Sequence, residues 1–269
     1  MSSTASKLIR MFVILSVLSG CACAGFTMNI QVKRPSFKDN LTSDILLDAT
    51  NNGDEPAHDS AIRIAYPAGV AGGPILIGSL EPGVKNERVQ GLSIDPSFLP
   101  GDYPLILVLN FKDKNDYPLS MIFESGFYVA RHSSSQIRGN LTVSPLGYDG
   151  IGAAKYVIDN LDDRPHNVSL HVLAPGTVEV EGGQETVMVG AKSQASVDYR
   201  LRNVVALPES GLTVIAVAEY DDGGTHYYDL SKSRTKVAGA RMNEVLLALA
   251  LASAVAAVSV YSYHWLRER

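Results

Sequence analysis

The sequence has little cysteine, few aromatic residues and no excess of basic charge. Among its 269 residues the two cysteines are Cys21 and Cys23, both near the N-terminus. A mature chain that begins after them has neither a disulfide framework nor a cysteine-ligated zinc site. Aromatic residues make up 7% of the chain, and the formal net charge is −5. Because nucleic-acid binding needs clustered Lys and Arg, these values exclude a nucleic-acid partner.

The N-terminal pattern predicts a secretory signal peptide over residues 1–24. Basic residues precede an apolar stretch, Met11–Leu18, that is too short to span a bilayer. Ala22-Cys23-Ala24 then fits a small-x-small cleavage site. Leu18-Ser19-Gly20-Cys21 also fits a lipobox, so lipidation of Cys21 is an alternative and an uncleaved anchor is a third. We favour ordinary cleavage.

A second membrane signal lies at the C-terminus. Residues 245–263 contain no charged residue and no His. As a helix they would measure about 28 Å, close to one hydrocarbon thickness. We therefore predict a transmembrane helix over 244–264 and a tail over 265–269. Arg267 and Arg269 predict a cytoplasmic tail, so the protein is expected to be single-pass in the cell membrane, N-out and C-in, with an extracytoplasmic ectodomain.

The residues between these ends have the pattern of strands and turns. Short alternating apolar runs are bounded by Gly, Pro, Asn and Asp, at a spacing typical of β-sandwiches. The pattern predicts an all-β fold. The clearest runs are Met28–Val32, Ile45–Ala49, Ala61–Ala65, Leu105–Leu109, Ala154–Ile158, Val168–Val172 and Leu212–Ala218.

The middle of the chain also contains an internal repeat. Asn51–Pro56 and Asn160–Pro165 share Asn, Asp and Pro at an offset of 109 residues. The same offset relates two apolar pairs in a later strand. Two distant motifs with one offset predict two homologous domains. The apolar pairs are Ile106 with Ile215 and Val108 with Val217.

The predicted architecture is two tandem immunoglobulin-like β-sandwiches, over residues 25–131 and 137–238, joined by a polar linker, 132–136. In each, the Asn-x-x-Asp-x-Pro segment is expected to form a turn, because Asn and Asp side chains bond nearby amides and Pro restricts φ. A hairpin is expected late in each domain. Since one spanning helix suffices as an anchor, we expect an extended arrangement with the first sandwich projecting outward.

The first repeat resembles a known family of surface modules. Its turn, Asn51–Ala57, is followed by the strand Pro100–Val108, which begins Pro-Gly-Asp-Tyr. This layout resembles CARDB and NEW3-type immunoglobulin-like domains of bacterial and archaeal cell-surface proteins. The resemblance covers residues 26–130. In the second repeat Asp162 replaces the Gly of the turn, and the Pro-Gly-Asp-Tyr start is absent. The resemblance implies a fold and a cell-surface setting, and no catalytic residue.

The residues that could carry chemistry are few and scattered. The sequence contains no hydrolase, metalloprotease or nucleotide-binding motif, so we predict a non-enzymatic protein without a cofactor. His166 and His171 lie five residues apart beside one predicted strand, which places them on opposite faces and argues against a shared metal. The acidic hairpin tips offer too few oxygens for Ca²⁺ and are expected to be turns. They contain Asp113, Asp116, Asp221 and Asp222.

Three sequons are candidates for glycosylation: Asn40, Asn140 and Asn167. The function predicted from all of these features is that of a membrane-anchored extracytoplasmic binding or structural protein. Its role would lie in adhesion, envelope structure or surface display, with a protein or a cell-envelope component as partner. The alternative is an extracytoplasmic accessory subunit of a membrane transporter or secretion complex.

Overall fold

The structure is a computed structural model that describes residues 26–37 and 41–239, together with Ala250, Leu251 and Ser253, which are helical. Seventeen strands cross the described residues, and the predicted all-β class is confirmed. They are β1 (Met28–Lys33), β2 (Ser36–Phe37), β3 (Thr42–Asn51), β4 (Ala57–Tyr66), β5 (Val70–Ala71), β6 (Ile75–Leu80), β7 (Lys85–Ile94), β8 (Gly101–Lys112), β9 (Pro118–Val129), β10 (Ile137–Val143), β11 (Ile151–Asn160), β12 (His166–Leu173), β13 (Val178–Glu181), β14 (Gln184–Val189), β15 (Gln194–Asn203), β16 (Gly211–Asp222) and β17 (Thr225–Lys236).

The predicted signal peptide, with Cys21, lies outside the described residues, as does Asn40. Most of the predicted span over 244–264 lies outside them as well. No helix within the described part of the chain is long and apolar enough to cross a membrane.

The strands form the same arrangement twice. In the first half, the N-outer sheet has the order β1-β3-β7-β5, and the N-inner sheet has the order β6-β4-β8-β9-β2. In the second half, the C-outer sheet is β10-β11-β15-β13 and the C-inner sheet is β14-β12-β16-β17. Every strand from β3 to β9 thus has a counterpart, in the same place, among β11 to β17. Pairing is antiparallel throughout, except where β2 joins β9 and β17 touches β8.

Each half encloses its own apolar core between its outer and inner sheets. On β3, Ile45, Leu47 and Ala49 are fully buried, while the residues between them are more exposed. This alternation is what a strand with one buried face requires. The equivalent buried set on β11 is Ala154, Tyr156 and Ile158. The hairpins predicted late in each half are confirmed as β8–β9 and β16–β17.

A third core joins the two halves. Ile106 and Val108 on β8 point away from the first core and pack with Ile215 and Val217 on β16. All four are at most 1% exposed. The N-inner and C-inner sheets therefore pack against each other through their second faces. The expectation of an extended arrangement is wrong, because both β8 and β16 present an apolar row to each side and the outward rows bury each other.

The polar segment predicted as a linker is held against the first half. The backbone N–H of Ser133 donates to the Asp102 carboxylate at 2.5 Å, and Ser133 Oγ accepts from the Asp102 N–H at 2.9 Å. Ser135 is 4% exposed and its hydroxyl bonds the backbone at Ile137. These contacts fix the turn of the chain from β9 into β10.

The two predicted turns occupy equivalent corners and use the same hydrogen bonds. Asn51 is fully buried, and its Nδ2 donates to the carbonyls of Glu55 at 2.7 Å and Leu80 at 2.9 Å. Its Oδ1 accepts from the Gly53 N–H at 2.9 Å. In the second half, Asn160 contacts the matching positions. Its Nδ2 donates to Arg164 O, Val189 O and Gly190 O, and its Oδ1 accepts from Asp162 N–H.

Candidate functional site

A pocket of about 470 Å³ opens where the two halves meet, at one end of the third core. Its walls come from both halves, so it exists only because they are packed together. The first half contributes the end of β4, a loop before β8 and the start of β8. The second half contributes side chains from β12, β14, β16 and β17. The walls include Tyr66, Phe98, Tyr103, His171, Gln184, Glu219, Asp221 and His226.

Glu219 lies at the centre of the polar contacts in this pocket. It continues the row of β16 that contains Ile215 and Val217, and it is 7% exposed. The Tyr66 hydroxyl, from the first half, donates to Glu219 Oε2. Two imidazoles of the second half approach the same carboxylate: His226 Nε2 lies 3.3 Å from Oε1, and His171 Nε2 lies 3.9 Å from Oε2.

His226 connects the cluster to the backbone of the first half. Its ring stacks on Tyr103, with centroids 3.9 Å apart and planes 1° from parallel, and its Nδ1 lies 2.8 Å from Asp221 Oδ1. The His226 N–H donates to Pro100 O at 2.9 Å. A Cβ on Gly101 would lie 2.2 Å from the His226 carbonyl oxygen, so only glycine allows this approach.

The environment shifts the pKa values of the cluster in opposite directions. Burial by itself lowers the pKa of His226, but the hydrogen bonds and charges of Glu219 and Asp221 outweigh it and raise that pKa above 6.5. Burial dominates at His171 and lowers its pKa, although the Glu219 charge opposes this. Burial and then Glu219 raise the pKa of Tyr66, which keeps its hydroxyl protonated as a donor.

The cluster thus consists of acid–base groups that hold one another across the junction of the halves. A protonated His226 ring donates to both carboxylates, while Glu219 accepts from each half. Such buried charge-assisted contacts are directional, so they add polar specificity to the apolar contact between the halves. No group of three or more His, Cys, Asp or Glu side chains in the described ranges is arranged to hold a metal ion.

Of the residues singled out in the sequence, His171 and Asp221 line this pocket, and the other described ones lie elsewhere. Asn140 on β10 and Asn167 on β12 are both exposed, as a glycosylated Asn must be. His166 and His171 lie on opposite faces of β12, as predicted: His166 Nε2 lies 2.9 Å from Asp162, whereas His171 packs on the Tyr66 ring. Asp113 organises its own hairpin tip, because its Oδ1 accepts from the Asn115 and Tyr117 N–H groups at 2.8 Å.

Sequence reasoning missed the cluster of Tyr66, Glu219 and His226. One signal was present: Glu219 follows directly on the apolar run Leu212–Ala218. A carboxylate at the end of such a run is buried unless the strand leaves the core, and a buried carboxylate needs partners. Their identity was not readable, because Tyr66 lies 153 residues away.

Comparisons with known proteins find only weak likenesses. No protein-family description and no curated protein matches the chain. Among solved structures, trypsin-activated alpha-2-macroglobulin from Escherichia coli aligns with 80% of this chain at 12% identity and a TM-score of 0.34. A Salmonella alpha-2-macroglobulin mutant aligns with 79% at 14% identity and 0.34. The alignments cover 18% and 16% of those two chains. A protein of unknown function from Porphyromonas gingivalis W83 aligns over 77% of this chain and 99% of its own, at 12% identity and a TM-score of 0.30.

Proposed function

We propose that this chain is a non-enzymatic, membrane-anchored extracytoplasmic protein that binds a partner or has a structural role in the cell envelope. Its ectodomain would consist of two CARDB-like immunoglobulin-like modules, over residues 25–131 and 137–238. The signal-peptide pattern and the apolar stretch 245–263 support the topology. The observation on which the proposal rests is the third core with its Glu219 cluster, through which the two halves pack against each other.

Two sandwiches that pack on each other are suited to binding or spacing. The apolar contact of Ile106, Val108, Ile215 and Val217 restricts the inter-domain motion that two sandwiches on a free linker would have. The acid–base groups of the pocket contact one another at the same junction. Such a unit would present a preorganised surface to a partner outside the membrane.

The topology is tested by protease treatment of intact cells or spheroplasts that express the full chain with a C-terminal tag. We expect digestion of the β-rich region and protection of the tag. A tag on an otherwise identical chain that ends at residue 243 serves as the control and should lose its protection. Protection of the β-rich region in the full chain would contradict the proposal.

A further inference from the structure

The second half has a regular sheet edge, with which no further strand among the described residues pairs. β14 is the last strand of the C-inner sheet and pairs with β12 through six consecutive residues without a register shift. The Val172 N–H donates to Gly183 O at 2.8 Å. Since antiparallel pairs alternate, the backbone N–H and C=O of Gln184, Thr186 and Met188 point away from β12. All three residues are exposed.

The equivalent edge of the first half is protected. β6 pairs with β4 through two register shifts, and Gly78 within it has a φ of 81°. The Arg88 guanidinium donates to the carbonyls of Leu76 at 3.2 Å and Ile77 at 3.4 Å. A bulge and a capping charge are two ways in which proteins prevent edge pairing. β14 has neither, because Val187 and Val197 occupy the positions equivalent to Gly78 and Arg88.

The surroundings of β14 indicate the chemistry of what would pair there. Glu185 on β14 is exposed, and Met188, three positions further along the strand, is 71% exposed. Because successive side chains alternate between the two faces of a sheet, Glu185 lies on the opposite face from Met188 and from Gln184, which lines the inter-half pocket. β14 contains no Lys or Arg. The pocket carboxylates, Glu219 and Asp221, lie on β16, on the far side of β12, and contact Tyr66 and His226.

We propose that β14 binds an extended segment of another protein by strand addition. The segment carries a Lys or Arg side chain that lies beside Glu185, and an apolar side chain on its other face that packs on Met188. Backbone hydrogen bonds supply affinity and the two side chains supply specificity. The inference rests on the proposed binding function. A second copy of this chain is the poorer occupant, because each copy has a net charge of −5 and brings carboxylates to the same edge.

A displayed library of random decapeptides, selected against the full-length protein in detergent micelles, tests this inference. We expect enrichment of peptides with Lys or Arg at one position and an apolar residue spaced an odd number of positions away. Binding of a synthetic copy should fall at least tenfold for Thr186→Pro, which removes an outward N–H that β12 does not use. Thr186→Val is the matched control and should bind as the wild type does. Glu185→Gln should reduce the preference for Lys or Arg.

A second arm does not depend on how the Thr186→Pro protein folds. N-methylation of every second amide blocks the backbone hydrogen bonds along one edge of the extended peptide. Two peptides, methylated at the two alternate sets of amides, are compared. One of them should fail to bind the wild-type protein, and the other should still bind. Equal binding of both N-methylated peptides would overturn the inference, as would enrichment without basic residues. A wild-type dimer in light scattering that Thr186→Pro abolishes would assign the edge to a second copy and also overturn it. The protease test decides the proposed topology separately, since peptide binding does not depend on orientation.

Discussion

The two halves agree at their corners and in the third core, and they differ at their exposed edges. Asn51 and Asn160 make the same corner contacts, and Ile106 and Ile215 face each other in the third core. By contrast, β6 is bulged and capped by Arg88, whereas β14 is regular. Packing therefore restricts which residues can occupy the repeated buried positions. Residues at the exposed sheet edges are not restricted in this way, so the two edges can have different roles. The edge that is left unprotected is where we place the partner.

The corner itself shows how a difference in sequence leaves the structure unchanged. The Gly of the first turn, Gly53, corresponds to Asp162 in the second. Both residues use only their backbone N–H to bond the corner Asn, at 2.9 Å in each case. The side chain at this position is therefore free, and Asp162 uses it to contact His166. The presence of Asp162 in place of Gly in the second repeat thus leaves the turn intact.

The largest effect is expected from the matched pair Ile106→Ala and Ile215→Ala. Each replacement empties part of the third core, so each should lower the free energy of unfolding by about 2–5 kcal/mol. Because both side chains share one core, the double variant should lose less than the sum of the two losses. Chemical denaturation measures all three variants. Leu76→Ala, at a side chain that is 70% exposed, is the control and should change little. Strict additivity would show that the halves do not share this core.

The second prediction compares the loss in the free energy of unfolding at the two corners, caused by Asn51→Ala and by Asn160→Ala. Each variant leaves buried carbonyls without a donor, at about 1–3 kcal/mol for an unsatisfied group. We expect only a small difference between the two losses, because each amide has two N–H groups, which Asn51 directs to two carbonyls and Asn160 shares among three. Urea denaturation of both variants measures the difference. The exposed neighbour Asn52 provides the control variant, Asn52→Ala. Losses no greater than that of the control would contradict a structural role for the corners.

The smallest effect concerns pH and the two histidines of the pocket. The raised pKa of His226 gives a stabilisation that is complete below pH 6.5 and is lost as pH rises through that pKa. The lowered pKa of His171 acts oppositely, because the folded protein resists its protonation and loses stability as pH falls below 6.5. We expect His226→Gln to flatten the alkaline side of the stability profile and His171→Gln to flatten the acid side, in urea denaturation from about pH 5 to about pH 9.

The first half supplies the control for this prediction. Tyr117, which is 109 residues before His226, also contacts the other half, since its hydroxyl donates to Val205 O. Tyr117→Phe removes this hydrogen bond and leaves both histidines in place, so it should shift stability by the same amount at every pH. A wild-type profile unchanged by either histidine variant would show that the groups facing them, Tyr66, Tyr103, Glu219 and Asp221, do not couple to their titration.

Much of the fold was predictable from local pattern. The run Ile45–Ala49 lies within β3 and Val168–Val172 lies within β12, because alternation reports one buried face. The offset that relates Asn51 to Asn160 predicted equivalent corners. The inter-half contact was also partly visible, since Leu105–Leu109 is continuously apolar rather than alternating. A strand of this kind is buried on both faces, and we interpreted it as buried on one.

The sequence by itself determined the strands, the corners and the repeat, because each depends on residues close together in the chain or on periodicity along one strand. The tertiary structure alone decided that the halves pack through their inner sheets, that Tyr66 meets Glu219 across 153 residues, and that β6 is capped whereas β14 is not. These features depend on which faces and edges meet after folding. Pairing energies of surfaces, rather than local preference, select among such arrangements, and no single stretch of sequence carries that information.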